Sequence, residues 1–191
     1  ISKTIELNES FCHTIDVQGK IVTPGFIDQH VHITGGGGQQ GYASLVPEVT
    51  MSELVACGTT TVLGMLGTDG FAKELTTLYA KAKAIDDDGL SAYMLTSYYG
   101  LPTKTLMNSV ADDLIFIDKV IGCKLAMSDD RSPFPTEQEI LRIIHQVRLG
   151  GFTSGKGGIL HIHLGALPEG IEPLLNIARH YPTLISYLSP T

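Results

Sequence analysis

The 191-residue chain carries 43% hydrophobic and 17% charged side chains, a balance that indicates one sizeable core and excludes a disordered protein. Thirteen Lys and Arg residues oppose twenty Asp and Glu residues, and a net charge of −7 without any basic run excludes a nucleic-acid partner. No stretch approaches the ~20 apolar residues of a membrane helix and no signal peptide opens the chain, so we expect a soluble, cytoplasmic protein with no membrane partner.

Apolar segments rich in β-branched residues alternate with longer helical patterns along the chain. The apolar segments predict six strands, at residues 25–32, 59–66, 90–98, 121–127, 159–164 and 184–188. The patterns between them predict five amphipathic helices, at residues 46–56, 72–87, 110–119, 136–149 and 169–180. Thr136 with Glu139 resembles a capping box at the start of the fourth helix, and Gly150 with Gly151 is expected to end it.

Alternating βα units with apolar strands indicate an α/β protein with a parallel sheet that is covered on both faces. A closed (β/α)₈ barrel and an open doubly wound sheet both satisfy this pattern. A complete barrel needs ~250 residues, so residues 21–191 would form its first five to six βα units. Residues 1–20 are expected to be the remnant of a small β-sandwich domain, with strand fragments at residues 4–7 and 14–17.

His30-Val31-His32 ends the first predicted strand. Period-two alternation turns both imidazoles to one face, at the mouth of a barrel, where neutral imidazole suits Zn²⁺ and similar ions. Asp28, one alternation earlier, is expected to support this site from below. An isolated His-x-His pair is equally compatible with solvated or core histidines, so the motif alone leaves both interpretations open.

His163 ends the fifth predicted strand, at the position from which barrel enzymes recruit ligands. His161 lies one layer deeper on the same face, where we expect a core histidine that is hydrogen-bonded to a neighbour rather than a ligand. The strand-end position therefore favours His163 as a metal ligand.

Lys124 interrupts the apolar fourth strand, and burying an unpaired ammonium costs several kcal/mol. A salt bridge to a carboxylate would compensate that cost, and so would a lowered pKa that makes the amine a base or nucleophile. A third solution is a carbamate formed with carbon dioxide, an anionic ligand that can bridge two cations. Three histidines at neighbouring strand ends favour the carbamate.

The cysteines do not indicate a disulfide framework or a cysteine zinc site. Cys12, Cys57 and Cys123 are odd in number, far apart and outside any CxxC pattern. We expect all three to be reduced thiols.

The segment Pro24-Gly25-Phe26-Ile27-Asp28-Gln29-His30-Val31-His32, followed by the strands of Lys124 and His163, resembles the amidohydrolase superfamily. Four segments resemble one family within it more narrowly, the isoaspartyl (β-aspartyl) dipeptidases. They are the glycine run at residues 35–38 and the segments 64–69, 94–99 and 128–132. This similarity covers the chain from about residue 17 to residue 191. The resemblance implies a partial (β/α)₈ TIM barrel of the amidohydrolase type.

The resemblance also implies a metallo-dipeptidase that hydrolyses the isopeptide bond of a small β-aspartyl dipeptide. In that family His30 and His32 would hold one divalent ion, His163 the other, and carboxylated Lys124 would bridge the pair. Zinc is the expected metal, and the two ions would activate a bridging hydroxide. The family tends to form homo-oligomers, which we therefore expect of the intact protein.

The substrate residues are likewise implied by the resemblance. Tyr99 would be catalytic, through a hydrogen bond to the developing oxyanion, and Arg131 would receive the substrate carboxylate. The remaining substrate contacts are expected from Gly37, Gly38, Gln39 and Thr68. A phosphate-binding loop is not indicated, because no Lys-Ser or Lys-Thr pair follows the glycines.

Two departures from the family pattern bear on activity. The dipeptidases have an acidic residue directly after the four glycines, where it pairs with the substrate's α-ammonium, whereas this chain has Gln39. The segment 188–191 resembles a strand whose next family residue is a histidine ligand, and the family's general acid and base is an aspartate of the last barrel strand. Because neither is present, we expect residues 1–191 to bind metal weakly and to turn over little or nothing.

Two other functions remain open. A different amidohydrolase, such as a cyclic-amide hydrolase or a deacetylase, would share the metal residues, and Gln39 is the feature that keeps it under consideration. A non-catalytic α/β domain would instead have a salt-bridged Lys124 and histidines that are polar core residues.

Overall fold

The computed structural model describes residues 13–191, and its strands form one six-stranded sheet. The strands are β1 (Phe26–Val31), β2 (Thr59–Gly64), β3 (Ser91–Ser97), β4 (Val120–Met127), β5 (Ile159–Leu164) and β6 (Leu188–Pro190). Every neighbouring pair is parallel, and the spatial order follows the order along the chain. A doubly wound sheet reverses its strand order at a switch point. The unbroken order therefore confirms the partial (β/α)₈ barrel.

Five helices connect or follow these strands. They are α1 (Met51–Ala56), α2 (Leu75–Asp87), α3 (Val110–Phe116), α4 (Glu137–Ser154) and α5 (Glu172–His180). Short 3₁₀ turns cover Tyr42–Ser44, Thr68–Phe71 and Pro182–Tyr187. The crossovers follow the βα alternation that the sequence predicts, and all helices except α4 are shorter than predicted.

The fourth helix does not end where the sequence predicts. Its start is confirmed, because Thr136 and Glu139 form a capping box. Its end is not, because α4 continues through Gly150 and Gly151 to Ser154 and is capped by Gly155 with φ 71°. A Cβ at Gly150 would lie 2.7 Å from Cβ of Leu114, so this glycine permits close packing of α3 against α4 rather than a helix end.

The predicted strand at residues 184–188 is wrong for all but its last residue. The 3₁₀ turn Pro182–Tyr187 occupies this segment, and β6 begins at Leu188. Pro182 fixes φ near −65° and lacks an amide donor, which favours a helical turn over a strand. The apolar residues that suggested a strand instead pack beside the core, as Leu184 and Tyr187 show.

Residues 14–17 form no strand in the structure and are exposed. The companion fragment predicted at residues 4–7 lies outside the described residues. The small N-terminal β domain therefore stays a prediction.

Strand alternation divides the buried side chains into an outer and an inner layer. The outer layer lies between sheet and helices and includes Val62, Met94 and Leu125. The inner cluster is smaller and contains Leu63, Met65 and Leu95. The inner face of the curled sheet also carries polar side chains, and these form the candidate site.

Two further sequence expectations concern membranes and thiols. Within residues 13–191, no helix is long and apolar enough to cross a membrane.

Cys57 is exposed and Cys123 is buried, and both are free thiols as expected, whereas Cys12 lies outside the described residues.

Candidate metal centre

One cavity of about 350 Å³ at the carboxyl ends of the strands brings together all four predicted metal ligands. Its lining residues are His30, His32, Gly37, Gln39, Gly67, Thr68, Tyr99, Lys124, Arg131 and His163. These residues lie on five different strands or on the loops that follow them. Because the strands are parallel, their carboxyl ends all lie on the same side of the sheet.

Lys124 is one of the most deeply buried side chains, with 1% of its surface exposed. Its neighbours on the same face of β4 are Gly122 and Ala126, whose small size leaves room for the long side chain. Its Nζ has no hydrogen-bond partner within residues 13–191, and no carboxylate there forms a salt bridge with it. Burial lowers the pKa of this amine to about 8. Among the described residues, no salt bridge compensates the buried amine of Lys124.

The two histidines at the end of β1 both face the cavity, with ring centroids 5.6 Å apart. Nδ1 of His32 lies 3.0 Å from the carbonyl oxygen of Met65. Because a carbonyl only accepts, Nδ1 carries the proton and Nε2 keeps a free lone pair. Gly67 makes room for this ring, since a Cβ there would lie 2.7 Å from its Cε1 atom.

His30 is partly buried. Desolvation, followed by the nearby charge of Lys124, lowers its pKa to about 4. Asp28 does not bond to either imidazole, because its carboxylate accepts the main-chain amide of His30 at 3.0 Å. The ring of His30 bonds instead to His161, which is buried, as the sequence predicts, and is hydrogen-bonded to its neighbours.

Asp129 organises the other side of the cavity. Its carboxylate accepts hydrogen bonds from Tyr99 Oη at 2.9 Å, from His163 Nε2 at 3.0 Å and from Arg131 Nε and Nη2 at 2.8 and 2.6 Å. The bonds from Arg131 are the main reason that the pKa of Asp129 lies well below its usual range. Since Nε2 of His163 is the donor in its bond, Nδ1 keeps the free lone pair.

Tyr99 and Arg131 therefore reach the cavity already bonded within the protein. Desolvation and the bond to Asp129 raise the pKa of Tyr99, so its hydroxyl stays protonated at neutral pH. The guanidinium of Arg131 lies over the ring of Tyr99, 5.6 Å from its centroid, and 42% of the arginine side chain is exposed. Both residues are placed where a ligand in the cavity could replace Asp129 as their partner.

The predicted substrate loop closes the cavity from the β1 side. Thr68 Oγ1 donates to the carbonyl oxygen of Gly37 at 2.9 Å, which joins the turn after β2 to the glycine run. Gly37 has φ 86°, and a Cβ there would lie 2.3 Å from the carbonyl oxygen of Ser44. Gln39 is exposed at the rim. Gly38, Gln39 and Thr68 also line a neighbouring cavity of about 290 Å³, whose other lining residues include Phe71, Tyr98, Leu101 and Pro133.

Two serines at strand ends adopt a left-handed backbone conformation that is rare outside glycine. Ser97, the last residue of β3, has φ 68°, and Ser128, directly after β4, has φ 53°. Such conformations cost about 1–3 kcal/mol and cluster at functional sites. Here they lie just before Tyr99, which lines the cavity, and Asp129, which accepts a hydrogen bond from Tyr99.

The donor set is compatible with a divalent cation, although its geometry is not a closed ligand cluster. Within residues 13–191, no three His, Cys, Asp or Glu side chains lie close enough together to hold a metal ion by themselves. The fourth predicted ligand, however, is Lys124, which shares the cavity with three imidazoles and whose buried Nζ has no partner among the residues described. An orphaned polar atom and nitrogen donors around one cavity fit a metal better than they fit an apolar core.

Sequence reasoning assigned no role to Asp129 or to the bond between His161 and His30. Asp129 lies two residues after a barrel strand, in the region where functional residues concentrate, so its position alone could have marked it. The bond between the two histidines joins positions 131 residues apart, and no local pattern signals it.

Comparisons with known proteins give related enzymes. No family model matches the chain. Imidazolonepropionase from Ruegeria sp. (strain TM1040), an amidohydrolase-superfamily protein, is 31% identical over 100 residues, which cover 51% of this chain and 25% of that protein. The β-aspartyl dipeptidase from Fervidobacterium islandicum AW-1 is 46% identical with a TM-score of 0.86, over 87% of this chain and 46% of that chain.

A second structure of that dipeptidase, in complex with the β-Asp-Leu dipeptide, is 46% identical with a TM-score of 0.85 and covers 87% of this chain and 45% of that one. The chain thus spans less than half the length of these solved relatives. Across that span, the resemblance of this chain to the amidohydrolase-type β-aspartyl dipeptidases is confirmed in both sequence and fold.

Proposed function

We propose that this chain contributes the first part of a metal-dependent hydrolase site that cleaves the isopeptide bond of β-aspartyl dipeptides. The observation that carries the proposal is the buried Nζ of Lys124, which has no partner in the described part of the chain and shares one cavity with His30, His32 and His163. The substrate class is supported by the 46% identity to β-aspartyl dipeptidases.

Lys124 is proposed to form a carbamate. The lone pair of the neutral amine forms an N–C bond with carbon dioxide while one C=O π pair moves onto oxygen, and an N–H bond breaks to release one proton to solvent. The product carries a negative charge, so the buried cation is removed and two oxygen donors are gained. A pKa of about 8 leaves an appreciable neutral fraction of the amine near neutral pH, which is the form that reacts.

The residues then divide between two divalent ions. His30 and His32 would hold one ion and His163 the other, with the Lys124 carbamate between them. Imidazole nitrogen and carbamate oxygen suit Zn²⁺, the expected metal, along with several of its neighbours. When bound, the ions would supply Lewis-acid activation of water and of the scissile carbonyl.

The protein's own groups would bind and orient the dipeptide. Asp129 occupies Nε and Nη2 of Arg131 and leaves Nη1 for a substrate carboxylate. The protonated hydroxyl of Tyr99 can donate to a developing oxyanion when it turns away from Asp129. Gly37, Gly38, Gln39 and Thr68 would contact the remainder of the dipeptide.

No carboxylate of the described residues lines either the metal-site cavity or the neighbouring cavity. A group that carries a proton from water to the leaving amine is therefore lacking there. We accordingly propose that the 191-residue chain binds metal weakly and hydrolyses dipeptides slowly. The exposed amide of Gln39 also leaves cyclic-amide hydrolysis as a second candidate, because no carboxylate receives an α-ammonium at the rim.

The test is a binding titration of the 191-residue chain in bicarbonate buffer. Zn²⁺ is added first, followed by β-Asp-Leu, α-Asp-Leu or a cyclic amide. We expect β-Asp-Leu to bind more tightly with the metal than without it, and H32Q to weaken the metal step. Equal binding of both dipeptides with and without Zn²⁺ would contradict the proposal, and preferential binding of the cyclic amide would support the second candidate.

A further inference from the structure

Ser189, His161 and His30 form a chain of hydrogen bonds behind the cavity. Nδ1 of His161 lies 3.0 Å from Oγ of Ser189, and Nε2 of His161 lies 3.0 Å from Nδ1 of His30. His161 is only 4% exposed and does not line the cavity, whereas His30 does. The chain of bonds thus connects β6 and β5 to β1 across the interior of the curled sheet.

Strand register explains why these groups meet. Lys124, His161 and Ser189 are register partners on β4, β5 and β6, so their side chains form one level of the inner face. His30 approaches this level from β1, and its ring lies edge-on to that of His161 with centroids 4.9 Å apart. His161 is therefore the direct support of His30 on the side away from the cavity.

The direction of the two bonds decides what His30 can do. A neutral imidazole has one donor nitrogen and one acceptor nitrogen. If Nδ1 of His30 donates to His161, its Nε2 presents a lone pair to the cavity. The opposite direction leaves a proton on Nε2, and a protonated nitrogen cannot hold a cation.

For the other two cavity histidines, the hydrogen-bond partner by itself determines which ring nitrogen carries the proton. The carbonyl of Met65 and the carboxylate of Asp129 only accept, so they fix the protonated nitrogens of His32 and His163. His161 can either donate or accept, and so can the hydroxyl of Ser189. His161 is buried at the level of Lys124 and His30 is partly buried, and burial favours the neutral imidazole.

We propose that His161, backed by Ser189, is a positioning residue that keeps the proton of His30 on Nδ1 and thereby presents Nε2 to the metal centre. In this arrangement Nε2 of His161 accepts from His30, so its Nδ1 must donate to Ser189 Oγ. The inference rests on the proposed function, in which His30 is a metal ligand.

The first test needs neither metal nor substrate. Long-range ¹H–¹⁵N correlations of the ¹⁵N-labelled, metal-free chain report which ring nitrogen of each histidine carries a proton, and H30Q and H161Q assign the signals. We expect both His30 and His161 to be protonated on Nδ1. A proton on Nε2 of His30 would overturn the proposal, whether or not the protein proves to be a hydrolase.

The second test measures metal affinity in matched variants. H161F fills the space without an acceptor, whereas H161Q keeps an oxygen that can accept from His30. We expect H161F to weaken Co²⁺ binding by about 10- to 100-fold, the range typical of supporting partners, and H161Q to recover most of the loss. S189A should cost only a few-fold, and H145F, on the exposed surface of α4, should cost nothing.

Melting temperatures separate positioning from a purely structural role. Recovery of Co²⁺ affinity in H161Q at a melting temperature equal to that of H161F supports positioning. Unchanged affinity in H161F, or equal losses in both variants that follow their melting temperatures, overturns it. If H161F does not fold, the protonation measured in the unsubstituted chain still decides.

Discussion

The metal side and the substrate side of the cavity are built in different ways. His30, Lys124 and His163 lie on strands or at their ends, so period-two alternation and parallel pairing place them. Thr68, Gln39 and Arg131 lie on loops that follow the strands. The rigid sheet therefore positions the proposed metal ligands, whereas the loops position the residues proposed to recognise the substrate.

The two sides also differ in how their charges are paired. Lys124 is buried without a partner among residues 13–191, so no negative charge of that part of the chain compensates the metal side. Arg131 and Tyr99 are both bonded to Asp129, so the substrate side is internally neutralised. The metal side therefore gains from a carbamate and cations, while the substrate side must exchange existing bonds when a ligand binds.

The largest expected effect breaks the metal side. K124M removes both the proposed ligand and an uncompensated buried amine. We expect Zn²⁺ affinity to fall by more than ~100-fold, beyond the range typical of supporting residues, while the free energy of unfolding of the metal-free chain rises by about 1–3 kcal/mol. Zinc titration and urea unfolding measure the two effects.

K20M is the matched control for this change, because Lys20 is exposed and outside the cavity. It should leave both quantities unchanged. A K124M variant that binds zinc normally would contradict the account of the metal side.

The second effect concerns pH. Burial lowers the pKa of Lys124 from 10.5 to about 8, so between these values the unfolded chain binds more protons than the folded chain. Stability therefore rises with pH in this window, by about 2 kcal/mol from pH 8 to pH 10 relative to K124M. Urea unfolding of both chains in buffer free of carbon dioxide measures this difference. Parallel pH profiles for the two chains would show that Lys124 is not the source.

The third effect breaks the substrate side. D129N keeps the volume of Asp129 but removes the charge that binds Arg131, Tyr99 and His163. We expect a loss of about 1.5 kcal/mol in the free energy of unfolding, because charged hydrogen bonds become weaker. D130N is the control, since Asp130 is exposed and its carboxylate lies 3.7 Å from Arg131 Nε. Equal losses in both variants would remove Asp129 from its organising role.

The smallest expected effect concerns substrate binding at Gln39, on the rim of the cavity. Q39E adds a carboxylate where the cavity lining has none, but at an exposed position where an ion pair contributes less than about 1 kcal/mol. We expect β-Asp-Leu to bind a few-fold more tightly than in the parent chain, and its N-acetylated form to bind no better. Calorimetry with both peptides checks this, and an equal gain for both would exclude α-ammonium recognition at residue 39.

The difference between strand residues and loop residues also explains which parts of the site the sequence could predict. The alternating pattern identifies the parallel strands and brings His30, Lys124 and His163 to one cavity, because buried strands impose a strict period. The position of Asp129 after β4 could have marked it, but its bonds to Arg131 follow a left-handed backbone at Ser128 that a serine does not signal. The bond between His30 and His161 depends on the curvature of the whole sheet.

The most direct test of the central claim is native mass spectrometry of the chain in bicarbonate with Zn²⁺, with Lys124 located by fragmentation. The account predicts an adduct of one carbon dioxide on Lys124 that accompanies bound zinc and is lost, together with the zinc, in H163Q. Zinc bound equally well to a chain whose Lys124 is unmodified, or to H163Q, would contradict it.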